Sequence, residues 1–383
     1  MSQRLLFVTG TRADYGKLEP LAHAALTAGY DVSFFVTGMH MMARYGETKL
    51  EVRRFAGQEI FGSAHARVGV FEFVNHRPGD TQDVVLAKTI MGFSDFVCEH
   101  RPDMVLIHGD RVEAMAAATV CAMQYIRCAH VEGGEVSGTI DESIRHCNTK
   151  LCHVHLVSSE AAKARVLALG EAPERVHVIG SPELDVHAKP SGVTLEEVRR
   201  YYAIDFDEFG IAIFHPVTSE AADMGTQAQA LFAALQQSGR CFVVIAPNND
   251  PGSDAIARVI EALPAAQFRV IPSMRFAYFS ELMRHAKVMI GNSSAGVREA
   301  PFLGLPSLDV GSRQHQRAQA SSVRAAAADE AHTIQGFLAT QWGQRRAPDT
   351  SFGQGEAAAR FVKVLQLEAW GVDVQKNFHN GEM

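Results

Sequence analysis

No apolar run in these 383 residues approaches the ~20 that a membrane-crossing helix needs, so no membrane span is expected. The opening stretch MSQRLLFVTGTR passes from a short apolar strand straight into a polar loop. It lacks the longer apolar core and cleavage site of a secretory signal, and a cytoplasmic protein is expected. Cysteine is scarce: Cys98, Cys121, Cys128, Cys147, Cys152 and Cys241 form no CxxC motif and fall inside periodic segments. That pattern argues against a disulfide framework and fits reduced, packed thiols. Basic charge is short too, with 36 Lys and Arg against 43 Asp and Glu and a net charge of −7. Nucleic acid and acidic membranes both require clustered cations, so neither is expected as a partner, and an anionic ligand must meet cations placed locally. Low-complexity tracts are absent; 47% hydrophobic and 21% charged residues place the chain among ordinary globular proteins.

A chain of this length exceeds the size at which one core stops growing, so two domains are predicted. Leu5–Val8, Val32–Val36, Met104–Ile107, His155–Val157 and Val176–Ile179 read as strands, with helical patterns between them. After a Pro/Gly/Ser/Thr-bearing linker, VHAKPSGVT, the pattern restarts with Ile211–Phe214, Phe242–Ile245, Phe268–Ile271, Val288–Ile290 and Ser307–Asp309. Helices such as Thr226–Gln237 and Ala255–Leu263 separate these strands. The alternation predicts an α/β protein of two Rossmann-like, doubly wound domains, 1–185 and 186–383, with the final helix, roughly Glu356–Ala369, assignable to either. Ligands of such sheets bind beyond the carboxyl ends of the strands, so a cleft between the two domains is the expected site.

The motifs lie at those strand ends. Thr9-Gly-Thr-Arg-Ala-Asp-Tyr-Gly-Lys17 follows the first strand and opens a helix, where backbone N–H groups attract phosphate. It is not GxGxxG, and the second strand ends Val36-Thr37-Gly38 without the carboxylate that holds an NAD ribose, which disfavours a dinucleotide. Arg12 offers a planar fork to phosphate or pairs with a surface carboxylate; Lys17 is a weaker candidate, since lysines at helix starts are commonly solvated. Gly291-Asn-Ser-Ser-Ala-Gly-Val-Arg-Glu299 is a second anion-site candidate, in which Ser293 and Ser294 serve a ligand or cap a helix. Glu299 accepts from sugar hydroxyls or closes a capping arrangement. His215, in Phe214-His-Pro-Val-Thr218, is placed to donate a proton or neutralise a phosphate. His153 and His155, near Cys147 and Cys152, superficially resemble zinc-ligand spacing, but no convergent third and fourth ligand is evident and no metal is expected.

Residues 108–146 hold the densest chemistry. Asp110, Glu132, Glu135, Asp141 and Glu142 crowd a segment whose Gly133, Gly134 and Gly138 permit positive φ, and carboxylates so gathered suggest proton chemistry. Asp110 follows one strand, Glu132 the next, and Asp141 lies where a helix begins. These three are the stronger candidates; Glu135 and Glu142 are set aside.

The motifs TGTRADYGKL, VTGMHMM, HGDR, HVEGGEVSGTIDESIRH, IGSPELD, FHPVT, PNND, GNSSAGVREAP and DVGSRQ run almost from end to end in an order and spacing that resembles the hydrolysing UDP-N-acetylglucosamine 2-epimerases of bacterial sialic-acid synthesis. The resemblance implies a glycosyltransferase-B type of fold, conversion of UDP-N-acetylglucosamine and water into N-acetylmannosamine and UDP, and neither a metal nor a nicotinamide cofactor. It implies acid/base roles for Asp110, Glu132 and Asp141, His215 and Arg12 at the diphosphate, nucleotide contacts from Ser293, Ser294, Glu299 and Arg313, and Arg111 and Arg145 as active-site cations. Gly16 stands where some relatives carry Ser, which removes one phosphate contact. A homodimer or homotetramer is implied, with a homodimer expected. Rival expectations are the same reaction on a UDP- or GDP-2,4-diacetamido-trideoxyhexose, a non-hydrolysing epimerase, and a glycosyltransferase on the same scaffold.

Overall fold

The computed structural model describes residues 2–57, 68–77, 79–137, 139–315, 317, 320–367 and 369–380; Gly138 lies outside them. The chain divides into two compact units. The first comprises Met1–Glu135, Asp141–Asp185 and Phe352–Met383, and the second Val136–Ile140 and Val186–Ser351. The final helix, assignable from sequence to either domain, clusters with the first unit together with the rest of Phe352–Met383. The reason is apolar: the helix Ala357–Leu367 buries Ala357, Phe361, Val364 and Leu365 in the same core as Phe7, Leu18 and Leu21. Asp185 anchors that helix, its carboxylate accepting from the Ala357 and Ala358 amides at 2.8 Å each, where the helix dipole favours an anion.

In the first unit the strands β1 (Arg4–Thr9), β2 (Asp31–Val36), β3 (Gly69–Glu72), β4 (Met104–His108), β5 (Cys128–Val131), β6 (Val154–Val157) and β7 (Val176–Val178) form a parallel sheet in the order β3-β2-β1-β4-β5-β6-β7. Its central strands are near-continuous apolar runs because both faces are covered. Along β1, Leu5 and Phe7 enter one core and Leu6 and Val8 the other.

The second unit repeats the winding with β8 (Gly210–Ile213), β9 (Phe242–Ile245), β10 (Phe268–Ile271), β11 (Met289–Gly291), β12 (Ser307–Val310) and β13 (Val323–Ala326), ordered β10-β9-β8-β11-β12-β13. Here Ile211 and Ile213 face one core and Ala212 the other. Both sheets therefore reverse strand order once, between β1 and β4 and between β8 and β11, and the carboxyl ends at such a switch point are where this architecture binds ligands. Among the described residues no helix is long and apolar enough to cross a membrane.

Candidate active site

At the switch point of the first unit, Thr11 caps the helix Arg12–Thr27 in a reciprocal box with Asp14. The Asp14 carboxylate accepts from the amides of Gly10 at 2.9 Å, Thr11 at 2.8 Å and Tyr15 at 2.8 Å. These are donors that the sequence assigned to phosphate, so the anion at this helix start is the protein's own. Arg12 is paired with Glu51, the surface-carboxylate alternative raised above. Lys17 is buried and not solvated: its Nζ lies 3.0 Å from Glu132 Oε2 and 3.3 Å from Glu183 Oε1.

Glu132, which is 3% exposed, follows β5 directly. His108 Nε2 is 3.0 Å from the same Oε2 that meets Lys17, and Ser181 donates to Oε1. Burial of a carboxylate is tolerable here because a cation and two further polar groups compensate it. The backbone supports this placement: Glu132 takes φ 63°, a left-handed conformation that costs a non-glycine residue about 1 kcal/mol or more. Of the glycines invoked from sequence, Gly134 takes φ 76°, while Gly133 does not adopt positive φ.

Asp110, just beyond β4, is ion-paired with Arg145, whose Nη1 donates to the Glu135 carbonyl at 3.0 Å. Arg145 is 2% exposed and sits on the helix Ile140–Leu151, which also carries Asp141 in its first turn. Asn148 ties that helix to the β4 end by donating to the Gly109 carbonyl at 3.0 Å. Glu135 accepts a hydrogen bond from Ser158. Arg111 lies 3.9 Å from the buried Glu113.

At the second switch point, His215 follows β8 and Asn292 follows β11. Asn292 was not singled out from sequence, yet it organises this group: its Oδ1 accepts from the His215 amide at 2.6 Å, its Nδ2 donates to the His215 carbonyl at 2.8 Å, and its own carbonyl accepts from Arg313 at 3.2 Å and Gln314 at 2.9 Å. The Asn248 amide points at His215 Nδ1 at 3.1 Å, which assigns the ring hydrogen to Nε2 and makes His215 a neutral donor there. The helix expected after Ser293 and Ser294 is a single turn, Ser294–Gly296, followed by the four-residue helix Glu299–Phe302. Ser293 accepts from the Ala295 amide at 3.3 Å, the capping alternative. Glu299 is buried at the head of the short helix, 3.9 Å from His187.

Asp309, in β12, is a further group with consequences. Burial pushes its carboxyl up to about 7 against the opposing pull of Arg313 and Arg317. A carboxyl raised in the folded state holds a proton that the unfolded chain has already lost, so stability falls as pH rises from about 4 towards 7 and the penalty is complete above that. Asp309→Asn is accordingly expected to raise the unfolding midpoint by ~2 °C or more at pH 8, and by less at pH 5, in thermal scans. An equal shift at both pH values contradicts this.

Two parallel, doubly wound units of Rossmann order, one with a carboxylate cluster and the other with a His–Asn pair at the switch point, define a two-domain α/β protein of the glycosyltransferase-B type. Residues 24–366 match the family model described as UDP-N-acetylglucosamine 2-epimerase. A UDP-N-acetylglucosamine 2-epimerase of Neisseria meningitidis serogroup B is 42% identical over 382 residues, 98% of either chain. A hydrolysing UDP-N,N'-diacetylbacillosamine 2-epimerase of Legionella pneumophila is 33% identical over 330 residues, 84% of this chain and 85% of that one. The chain belongs to the UDP-N-acetylglucosamine 2-epimerase family. Its fold is shared with a Neisseria meningitidis UDP-GlcNAc 2-epimerase crystallised with UDP-GlcNAc, at a TM-score of 0.78 and 18% identity, covering 95% of this chain and 100% of that one.

Proposed function

We propose that this protein is a hydrolysing 2-epimerase that converts UDP-N-acetylglucosamine and water into N-acetylmannosamine and UDP, supplying sialic-acid synthesis. The observation that carries this reading is Glu132, a buried carboxylate at a strand end, between Lys17 and His108, in the unit that also holds the Asp110–Arg145 pair. The proton on carbon 2 of the sugar is not adjacent to a carbonyl carbon and is too weakly acidic for a carboxylate to remove directly. The bond from carbon 1 to the diphosphate oxygen breaks first or in concert, its electron pair leaving with UDP, and the oxocarbenium-like sugar then sheds that proton to a carboxylate as 2-acetamidoglucal. Water adds at carbon 1 and a proton returns to carbon 2 from the opposite face, giving N-acetylmannosamine. Glu132 and Asp141 handle these protons, and Asp110 orients with Arg145. His215, as a neutral Nε2–H donor, and Arg12 stabilise the leaving diphosphate, aided by Arg111 and Lys17. Ser293, Ser294, Glu299 and Arg313 hold the nucleotide. The reading includes a homodimer in the cytoplasm, which sequence resemblance supports and light scattering and cell fractionation measure.

The rival substrate, a 2,4-diacetamido-trideoxyhexose nucleotide, is favoured by the 33% identical relative, whereas the 42% identical one favours UDP-N-acetylglucosamine. Incubating the protein with each nucleotide sugar in acceptor-free buffer tests the proposal. UDP and free N-acetylmannosamine are expected. Sugar recovered as UDP-N-acetylmannosamine would mean a non-hydrolysing enzyme, and turnover that requires an added acceptor would mean a transferase. Arg12→Ala is expected to lower kcat about 10- to 100-fold, because the Glu51-held guanidinium no longer serves the diphosphate; parent-like kcat in steady-state assays would remove Arg12 from the mechanism.

A further inference from the structure

The His153 and His155 pair, which the reaction does not use, belongs to a docking site for residues 370–379. Residues 370–380 contain neither helix nor strand, yet their main chain is held at successive points. Arg127 donates to the carbonyls of Trp370 at 3.0 Å and Val372 at 3.1 Å, and His153 Nε2 to that of Val374 at 3.0 Å. The His379 amide donates to the Gly170 carbonyl at 3.0 Å, and the Phe378 ring lies where a Cβ on Gly170 would be. Between these points Lys376 turns inward. Its Nζ is 2.6 Å from Glu171, whose other contacts are His155 at 2.8 Å and Lys150 at 2.6 Å. It also donates to the carbonyls of Thr149 at 3.1 Å and Lys150 at 2.9 Å, and to that of Cys152. The first two are orphan acceptors in the last turn of the helix Ile140–Leu151, where a cation is also favoured by the helix dipole.

That helix carries Asp141 and Arg145. The connection to Arg145 is one turn long: the Thr149 hydroxyl donates to the Arg145 carbonyl at 3.1 Å, and Arg145 holds Asp110. We propose that residues 370–379 form a strap that seats this helix, with Lys376 as a positioning residue for Asp141 and Arg145. Trp370 and Val372 already hold the segment by apolar contacts, which carry no direction; the half-buried ammonium, bonded to Glu171 and to carbonyls at the helix end, fixes that end in direction and register.

The activity arm of the test rests on the reaction proposed above; the exchange arm does not. Lys376→Met and Lys376→Arg are made in the full chain beside Phe232→Leu, which weakens the core of the second unit, where no strap residue packs. In Lys376→Met, amide hydrogen exchange over residues 145–151 is expected to accelerate about tenfold. In the same variant kcat for UDP-N-acetylglucosamine is expected to fall about tenfold, with KM within about twofold of the parent. Lys376→Arg is expected to restore both. Phe232→Leu is expected to lower the unfolding midpoint while leaving kcat at 25 °C and exchange over 145–151 unchanged. Parent-like exchange in Lys376→Met, or the same kcat loss in Phe232→Leu, overturns the strap. A parent protein inactive on UDP-N-acetylglucosamine overturns the reaction instead, and the exchange result alone then decides for or against the strap.

Discussion

Glu132→Gln is expected to lower kcat for UDP-N-acetylglucosamine by about 10²–10⁴-fold, the usual contribution of a positioned acid or base, with KM changed little. The amide keeps the shape of the carboxylate, and Lys17 retains Glu183 at 3.3 Å, so the buried group need not rearrange. What is lost is the ability to take or return a proton at carbon 2. Supplying 2-acetamidoglucal and water in place of the nucleotide sugar divides the reaction into halves: loss in both marks Glu132 as acting in elimination and hydration, and loss in one assigns it there. Parent-like turnover in the variant would remove Glu132 from proton transfer and leave Asp141 as the remaining candidate.

Gly291→Ala is expected to destabilise the second unit by about 3 kcal/mol or more, through backbone strain and collision together. Gly291 ends β11 at φ 126°, a conformation that L side chains rarely adopt, and an added Cβ would lie 1.9 Å from the Ile213 carbonyl oxygen. The close passage of β11 against β8 has a purpose one residue later, where Asn292 reaches the amide and carbonyl of His215. The variant should therefore unfold at lower denaturant concentration and lose hydrogen-exchange protection in β8 and β11. A midpoint equal to that of the parent would mean that the backbone relaxes without cost and that the glycine is dispensable.

Much of this architecture was legible because parallel strands buried on both faces appear as unbroken apolar runs. Phe242–Ile245 and Phe268–Ile271 match β9 and β10 residue for residue. The strands that escaped are those whose burial is partial or whose residues are not hydropathic. β3 (GVFE) and β13 (VRAA) are sheet edges, while β5 (CAHV), which carries a buried histidine, was marked only as the strand that Glu132 follows. Asp110, Glu132 and His215 could be placed at strand ends because a strand end is local information. Their partners could not: Lys17 and Glu132 are 115 positions apart, and Asp14 took the helix-start amides through side-chain geometry that spacing does not reveal. Asn292 and Lys376 passed unnoticed for the same reason, since an amide and a lysine near a chain end signal nothing until the fold brings their acceptors together.

The central claim is that elimination and rehydration exchange the proton at carbon 2 with solvent while UDP is released. Turnover of UDP-N-acetylglucosamine in deuterated water, followed by NMR of the product, tests it most directly. The account predicts free N-acetylmannosamine carrying one deuterium at carbon 2. A product that retains its original hydrogen there, or a sugar still attached to UDP, would contradict it.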